Sequence, residues 1–342
     1  MPKDNPRHRL PVRLLGPVAV GCLLLQLLAT ASPAEAFVTA NHTKITLDAV
    51  TFEKATSELA ARAVNVSDKK PWGDDSREHC DNADYLTDED NGGKPYPRSR
   101  LRAFRDLQNC AQYAYTGFIR AVSAADGLVD AAGAPVKAQV EVKDCKLDEG
   151  PDLKKCEVLD GLGRSWHAIE DFYAHSNYAD KHDLTQKVSH LNAPGLAQSA
   201  PAPIFDMAVY RQDWSELNVL AKFSERLDPR LITGCYHNDE DAQGDRNNDC
   251  EHGSPRVTHQ DGDPDAQYRG NGVGLAKDHS GFQRAKLPFS EGKNNLTQVM
   301  EQATVEIKHQ WQLFHDALVS QYGQARADGM VKAITTDHPA AG

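Results

Sequence analysis

The segment from Leu162 to Tyr178, LGRSWHAIEDFYAHSNY, constrains this chain more than any other stretch. As an α-helix it sets His167, Asp171 and His175 four residues apart, within roughly 80° of one another on a single polar stripe. Ile169, Phe172 and Tyr173 then fall on other faces, where they can anchor the helix in a core. Imidazole and carboxylate on successive turns are donors that a zinc ion accepts at about 2.0–2.2 Å. A helix fixes such donors before the metal arrives, so little ordering entropy remains to be lost. The competing reading is a polar bundle in which the histidines only cap or hydrogen-bond. A third member at the same spacing favours the metal.

Residues 1–36 read as a Sec-type signal peptide. Lys3, Arg7, Arg9 and Arg13 form a basic start, Val18 to Leu28 an apolar run too short to span a bilayer comfortably, and Ala34-Glu35-Ala36 a cleavage site before Phe37. The protein is therefore expected to be secreted, with no transmembrane segment in the mature chain. The net charge of −11 belongs to a chain that is 25% charged and 40% hydrophobic. That acidity argues against a broad duplex-DNA surface but not against metal-assisted phosphoester chemistry.

Of seven cysteines, one (Cys22) lies in the leader, and the other six suit an exported, disulfide-bonded chain. Fifteen connectivities are open to six cysteines. The preferred set is 80–110, 145–156 and 235–250, because the last two pairs each bracket a polar loop. No C-x2-C pair supports zinc–thiolate binding instead.

Apolar residues recur at helical spacing over Thr46–Val64, Arg100–Ala125, Val158–Asn177, Phe205–Arg226 and Leu296–Tyr322, with one short strand expected at Val136–Val142. No βαβ alternation and no internal repeat occurs, so the expected class is all-α, with long disulfide-stapled loops. The domain plan is a single helical metal-binding domain over 37–325, a long acidic loop at 234–274, and a flexible tail at 326–342. The acidic run Asp239-Glu240-Asp241 lacks the glycine and glutamate of a calcium-binding loop and reads as solvated. Asn41, Asn65 and Asn295 head glycosylation triplets that matter only in a host that glycosylates.

The run His167-Ala-Ile-Glu-Asp171-Phe-Tyr-Ala-His175-Ser-Asn resembles the signature helix of secreted CinY-like proteins and of fungal Het-C-type incompatibility proteins. More distantly it is similar to the all-helical zinc-dependent phospholipases C and single-strand nucleases. In that superfamily a trinuclear zinc cluster hydrolyses phosphodiesters. The resemblance implies a ligand set here: the α-amino group and carbonyl of Phe37, then His42, a choice among His79, Asp81 and Asp84, and His167, Asp171, His175, His259 and Asp278. About 18 residues separate His259 from Asp278, a longer gap than the CinY-like pattern suggests. Asp171 would bridge two metals, or orient His167 without touching one, and Glu170 or an acid in 79–84 would orient the attacking water. The implied cofactor is two or three zinc ions, and the implied substrate a phosphodiester, either a phospholipid headgroup or single-stranded nucleic acid. The alternative is a non-catalytic secreted helical protein whose metal site serves structure or recognition.

Overall fold

The computed structural model describes residues 37–69, 75–142, 145–147, 150, 153–207, 227–236, 256–259 and 273–339. These are mostly helical: α1 Thr39–Ala49, α2 Lys54–Val64, α3 Arg100–Ala125, α4 Lys154–His175, α5 Asn295–Tyr322 and α6 Gln324–Thr335. A single helical turn at Gln283–Lys286 precedes a two-stranded antiparallel hairpin, β1 Pro288–Ser290 and β2 Lys293–Asn294. Among the described residues no helix is long and apolar enough to cross a membrane.

α4 is the axis of the bundle, and nearly every one of its side chains is buried. Its glycines explain how neighbours approach so closely. A Cβ on Gly161 would stand 2.7 Å from Gly117 O on α3, and one on Gly117 would stand 2.6 Å from Gly161 O. A Cβ on Gly163 would likewise meet Ala63 of α2 at 2.5 Å. Small residues therefore face small residues at both crossings, and backbone packs nearly on backbone. Further along, Trp166 meets Trp311 of α5 edge-on, while Phe118 of α3 packs against Phe314. Each buried aromatic or aliphatic side chain in such a core contributes about 1.5–3 kcal/mol.

The helices expected over Arg100–Ala125 and Leu296–Tyr322 are present almost to the residue, with local chemistry fixing their starts. Ser99 accepts a hydrogen bond from Arg102 N ahead of α3, and Asn294 accepts one from Thr297 N ahead of α5. Other expectations are corrected. Thr46–Val64 is not one helix, because Val50 is extended (φ −125°, ψ 144°) and separates α1 from α2. Phe52 in that break packs against Trp311, and Glu53 N donates to Thr335 O, so the interruption is anchored by tertiary contacts. The expected strand at 136–142 holds a short 3-10 turn at Lys137–Gln139. The helix expected over Phe205–Arg226 lies largely outside the described residues, as does most of the 234–274 loop.

The expected flexible tail is instead a docked helix. Gly323, at φ +81°, ends α5 and lets the chain turn into α6, which buries Ala327, Met330, Ala333 and Ile334. Beyond it Asp337 accepts hydrogen bonds from the N–H groups of Ala55 and Thr56, capping α2 from the far end of the chain. Two disulfides, Cys80–Cys110 and Cys145–Cys156, join the expected partners. Cys235 is also disulfide-bonded.

Replacing Gly161 with leucine forces α3 and α4 apart. The expected outcome in urea denaturation is a loss of about 1–3 kcal/mol, and an unchanged midpoint would contradict the close crossing.

Candidate metal centre

Four segments that are distant in sequence converge on α4. The first is α1, whose buried face carries His42. His42 Nδ1 lies 2.6 Å from Glu170 Oε2, and its Nε2 lies 3.1 Å from Asp171 Oδ1. Thr46, one turn on, donates to Glu170 Oε1 at 2.9 Å. Both Glu170 oxygens are thereby occupied, and the residue is fully buried. The water-orienting role expected of Glu170 is corrected: its oxygens are taken by His42 Nδ1 and Thr46, and it holds the His42 ring with Nε2 turned to the cluster. Phe37 is buried with its ring edge-on to His42, centroids 5.7 Å apart, which places the start of the described chain beside this group.

The second segment runs from Asp75 to Asp84. Cys80 ties it to α3 through the disulfide to Cys110, and Cys80 and Asn82 both adopt positive φ (54° and 65°). Asn82 N donates to Gly234 O, and Asn82 Oδ1 accepts from Tyr236 N. Those two left-handed residues flank Asp81, and across the segment His79 and Asp81 reach different groups of partners. His79 Nδ1 lies 2.8 Å from Asp171 Oδ2 and 3.3 Å from His167 Nε2. His167 Nε2 is in turn 3.0 Å from Asp171 Oδ2 and 3.6 Å from Asp68 Oδ1.

Asp68 is the residue that sequence reasoning missed. It lies four residues beyond the end of α2, where the chain reads as a glycosylation triplet followed by a turn. Neither of its carboxylate oxygens has a hydrogen-bond partner among the described residues. The available signal was an acid about one turn beyond an amphipathic helix that had to pack on the focal one.

The third and fourth segments surround His175. Its Nδ1 lies 3.1 Å from Asp81 Oδ1, and its Nε2 lies 3.1 Å from Asp278 Oδ1. The His259 ring, 4.1 Å away between centroids, repeats the pattern: Nδ1 is 2.9 Å from Asp81 Oδ1 and Nε2 is 3.6 Å from Asp278 Oδ2. The 18-residue gap before Asp278 is immaterial, because the chain returns. Leu275 N donates to Thr258 O, Ala276 N to His259 O and Lys277 N to Ala174 O. Lys277 is fully buried and donates to Ser176 O, Leu275 O and Asp180, pinning the residue next to Asp278 against the end of α4.

Asp84, one of the three alternatives in its segment, is placed elsewhere. Arg256 grips both of its oxygens at 2.8 and 2.5 Å, Arg98 lies at 3.0 Å, and the Tyr96 hydroxyl donates at 2.6 Å. Its carboxylate is spent on that network, so Asp84 is corrected from ligand to staple. The same Tyr96 oxygen accepts from Val257 N at 2.8 Å, and together these bonds position the strand-like piece that carries His259.

Three donor groups result: His42, His167 and Asp171; Asp68, His79 and His167; and Asp81, His175 and His259. Within each, one ligand atom per residue lies within 4.8 Å of the others. His167 belongs to two groups, and Asp171 presents one oxygen to His42 and the other to His79 and His167. His79 Nε2 and Asp68 Oδ2 are buried with no hydrogen bond or ion-pair contact among the described residues, whereas His42 Nε2 faces Asp171 Oδ1 at 3.1 Å and His259 Nε2 faces Asp278 Oδ2 at 3.6 Å. Leaving such atoms unpaired costs about 1–3 kcal/mol each. Divalent cations accept this donor set and would relieve that cost, so the residues fit a multi-metal centre.

Electrostatics point the same way. Burial opposes charge on His42, but Asp171 and Glu170 outweigh it and hold its pKa well above the ordinary value. Burial also opposes charge on His79, yet Asp171 and its neighbours raise it to about 9. Asp171, despite burial, is held well below the carboxylate range by His167 and His42. Asp278 is pushed down to about 2, His175 outweighing the effect of burial. In metal-free protein the imidazolium–carboxylate contact of His79 thus stabilises the fold fully below about pH 6.5. That contribution is lost as pH rises through about 9. Metal requires neutral imidazole and so must displace those protons. Adding zinc to chelated protein at pH 7 in weak buffer is expected to release protons, with affinity rising with pH. Binding without proton release would contradict the geometry.

No family model, curated protein or solved structure matches this chain, so the case for the site rests on its own donor geometry.

Proposed function

We propose that the protein is a secreted zinc-dependent phosphodiester hydrolase that uses a metal-activated water. The observation that carries this reading is the sharing of donors: Asp171 turns its two oxygens to different histidines, and His167 serves two groups at once. A lone structural zinc is satisfied by four ligands from a closed set, whereas shared carboxylates and imidazoles suit ions held side by side. Zinc bound there would supply Lewis acidity and an acidified water near neutral pH, and would neutralise charge on a phosphoryl group.

The chain's own contribution is preorganisation. Glu170 holds His42, and Asp81 or Asp278 can hold the outer nitrogens of His175 and His259 while the other acid faces the metal. The α-amino group of Phe37, once freed by cleavage after Ala36, would join His42 as a ligand. The substrate class is a phosphodiester, from a phospholipid headgroup or a single-stranded nucleic acid. Secretion is supported by the leader and by the two disulfides, which suit an oxidising compartment.

One observation favours the non-catalytic alternative: His42, His167 and Asp171 are completely buried. Among the described donors His79 and Asp68 are the most exposed, at 10% and 7% of their side chains. A water-accessible ion at that group is what the hydrolase reading requires.

Mature protein beginning at Phe37 should hydrolyse bis(p-nitrophenyl) phosphate, lose that activity on chelation and regain it with zinc. Zinc-replete protein that hydrolyses no phosphodiester would move the weight to a structural or recognition role. Glu170→Ala should weaken metal affinity or activity by about 10–100-fold, and an unchanged value would remove Glu170 from the site. One extra residue before Phe37 should displace an ion from the His42 group, a loss readable by elemental analysis. Unaltered metal content in that extended protein would exclude the N-terminus as ligand.

A further inference from the structure

A cleft of about 550 Å³ opens beside the cluster, between α3, α4 and the segment that leads into His79. Its volume lies within the usual range for small-ligand pockets. It is not remote from the proposed chemistry: Glu78 lines it and immediately precedes His79, and Arg164 lines it one helical turn before His167. Burial pushes the Glu78 pKa up, and hydrogen bonds from Ser67 and Tyr113, then the nearby charges of His167 and His79, oppose it.

The lining is charged but balanced. Arg77, Arg120 and Arg164 face Asp75, Glu78 and Asp160, so formal charge cancels. Arg77 is paired with Asp75, Arg120 lies 2.7 Å from Asp160, and Arg164 lies 3.4 Å from the same carboxylate. A free anion entering the cleft would meet the acids, and a cation would meet the guanidinium groups. A hydroxyl suits both, because it donates to a carboxylate and accepts from a guanidinium at once. Glu78 Oε2 is a buried acceptor without a hydrogen-bonded donor among the described residues, and Asp160 Oδ1 has only the 3.4 Å approach of Arg164 Nε. Tyr113 adds a half-buried aromatic ring to the wall, a surface for the C–H face of a saturated ring.

We propose that this cleft is the subsite for a neutral ring polyol, a sugar or an inositol, carried on the phosphodiester that the adjoining cluster cleaves. The proposal rests on the hydrolase reading for the identity of the attached group, but the polyol contacts are independent of metal. Vicinal hydroxyls would bridge Glu78 or Asp160 to the neighbouring guanidinium groups, while the phosphodiester would extend toward His79 and His167.

The test is calorimetric titration of the mature protein with myo-inositol, with methyl β-ribofuranoside and with choline, alongside hydrolysis assays on the same preparation. Saturable binding of inositol or the riboside is expected, the stronger of the two naming the source of the ring. Thr116→Trp, an exposed change that fills the cleft mouth, and Arg77→Ala, which removes one guanidinium, should each weaken that binding at least about tenfold. No saturable binding of either polyol, binding of choline in their place, or polyol binding indifferent to Thr116→Trp would overturn the proposal. Polyol binding without hydrolysis would leave the subsite standing and sink the hydrolase reading; hydrolysis without polyol binding would do the reverse.

Discussion

A single carboxylate governs this molecule. Asp171 is fully buried, and its oxygens lie within 3.1 Å of ring nitrogens from His42, His79 and His167, which come from three separate stretches of chain. A buried charge of this kind is tolerated only when opposite charge surrounds it. Here the compensation is imidazolium at His42 and His79, and under the proposed function bound cations would take its place. The fold can be understood as the arrangement that delivers those partners. The glycines of α4 admit α2 and α3 at close range, and the Cys80–Cys110 bridge fastens the His79 segment to α3. The returning strand-like pieces at 257–259 and 273–278 close the far end of the helix.

Much of this plan is legible in the sequence because helical periodicity is local information. The limits of α3 and α5 and the His167–Asp171 pair follow from spacing, and Cys145–Cys156 is favoured by the polar loop it brackets, whereas spacing gives no argument for Cys80–Cys110. His175 shows where spacing stops being enough. It shares the stripe with His167, but eight residues of helix place it roughly 12 Å along the axis. It therefore serves a different group, with Asp81, His259 and Asp278.

What escaped the sequence depends on tertiary contact. Asp68 becomes a candidate ligand only because α2 packs against α4 across Gly163. Asp84 looks like its neighbours Asp81 and His79 until Arg98 and Arg256 claim it. Glu170 sits beside Asp171 in the sequence, yet the helix turns it by about 100° onto His42 Nδ1 and Thr46. The docked tail is similar: α6 has apolar residues at the right spacing but is short, and its burial against the bundle is what stabilises it.

The central claim is that these donors hold cations at three groups, two of which share Asp171. Anomalous X-ray diffraction at the zinc edge, on crystals of zinc-replete mature protein, tests it most directly. The account predicts separate peaks at the His42–Asp171, Asp68–His79–His167 and His175–His259 groups, with Asp171 contacting two of them. One isolated peak, or none with the imidazole–carboxylate contacts intact, would contradict it.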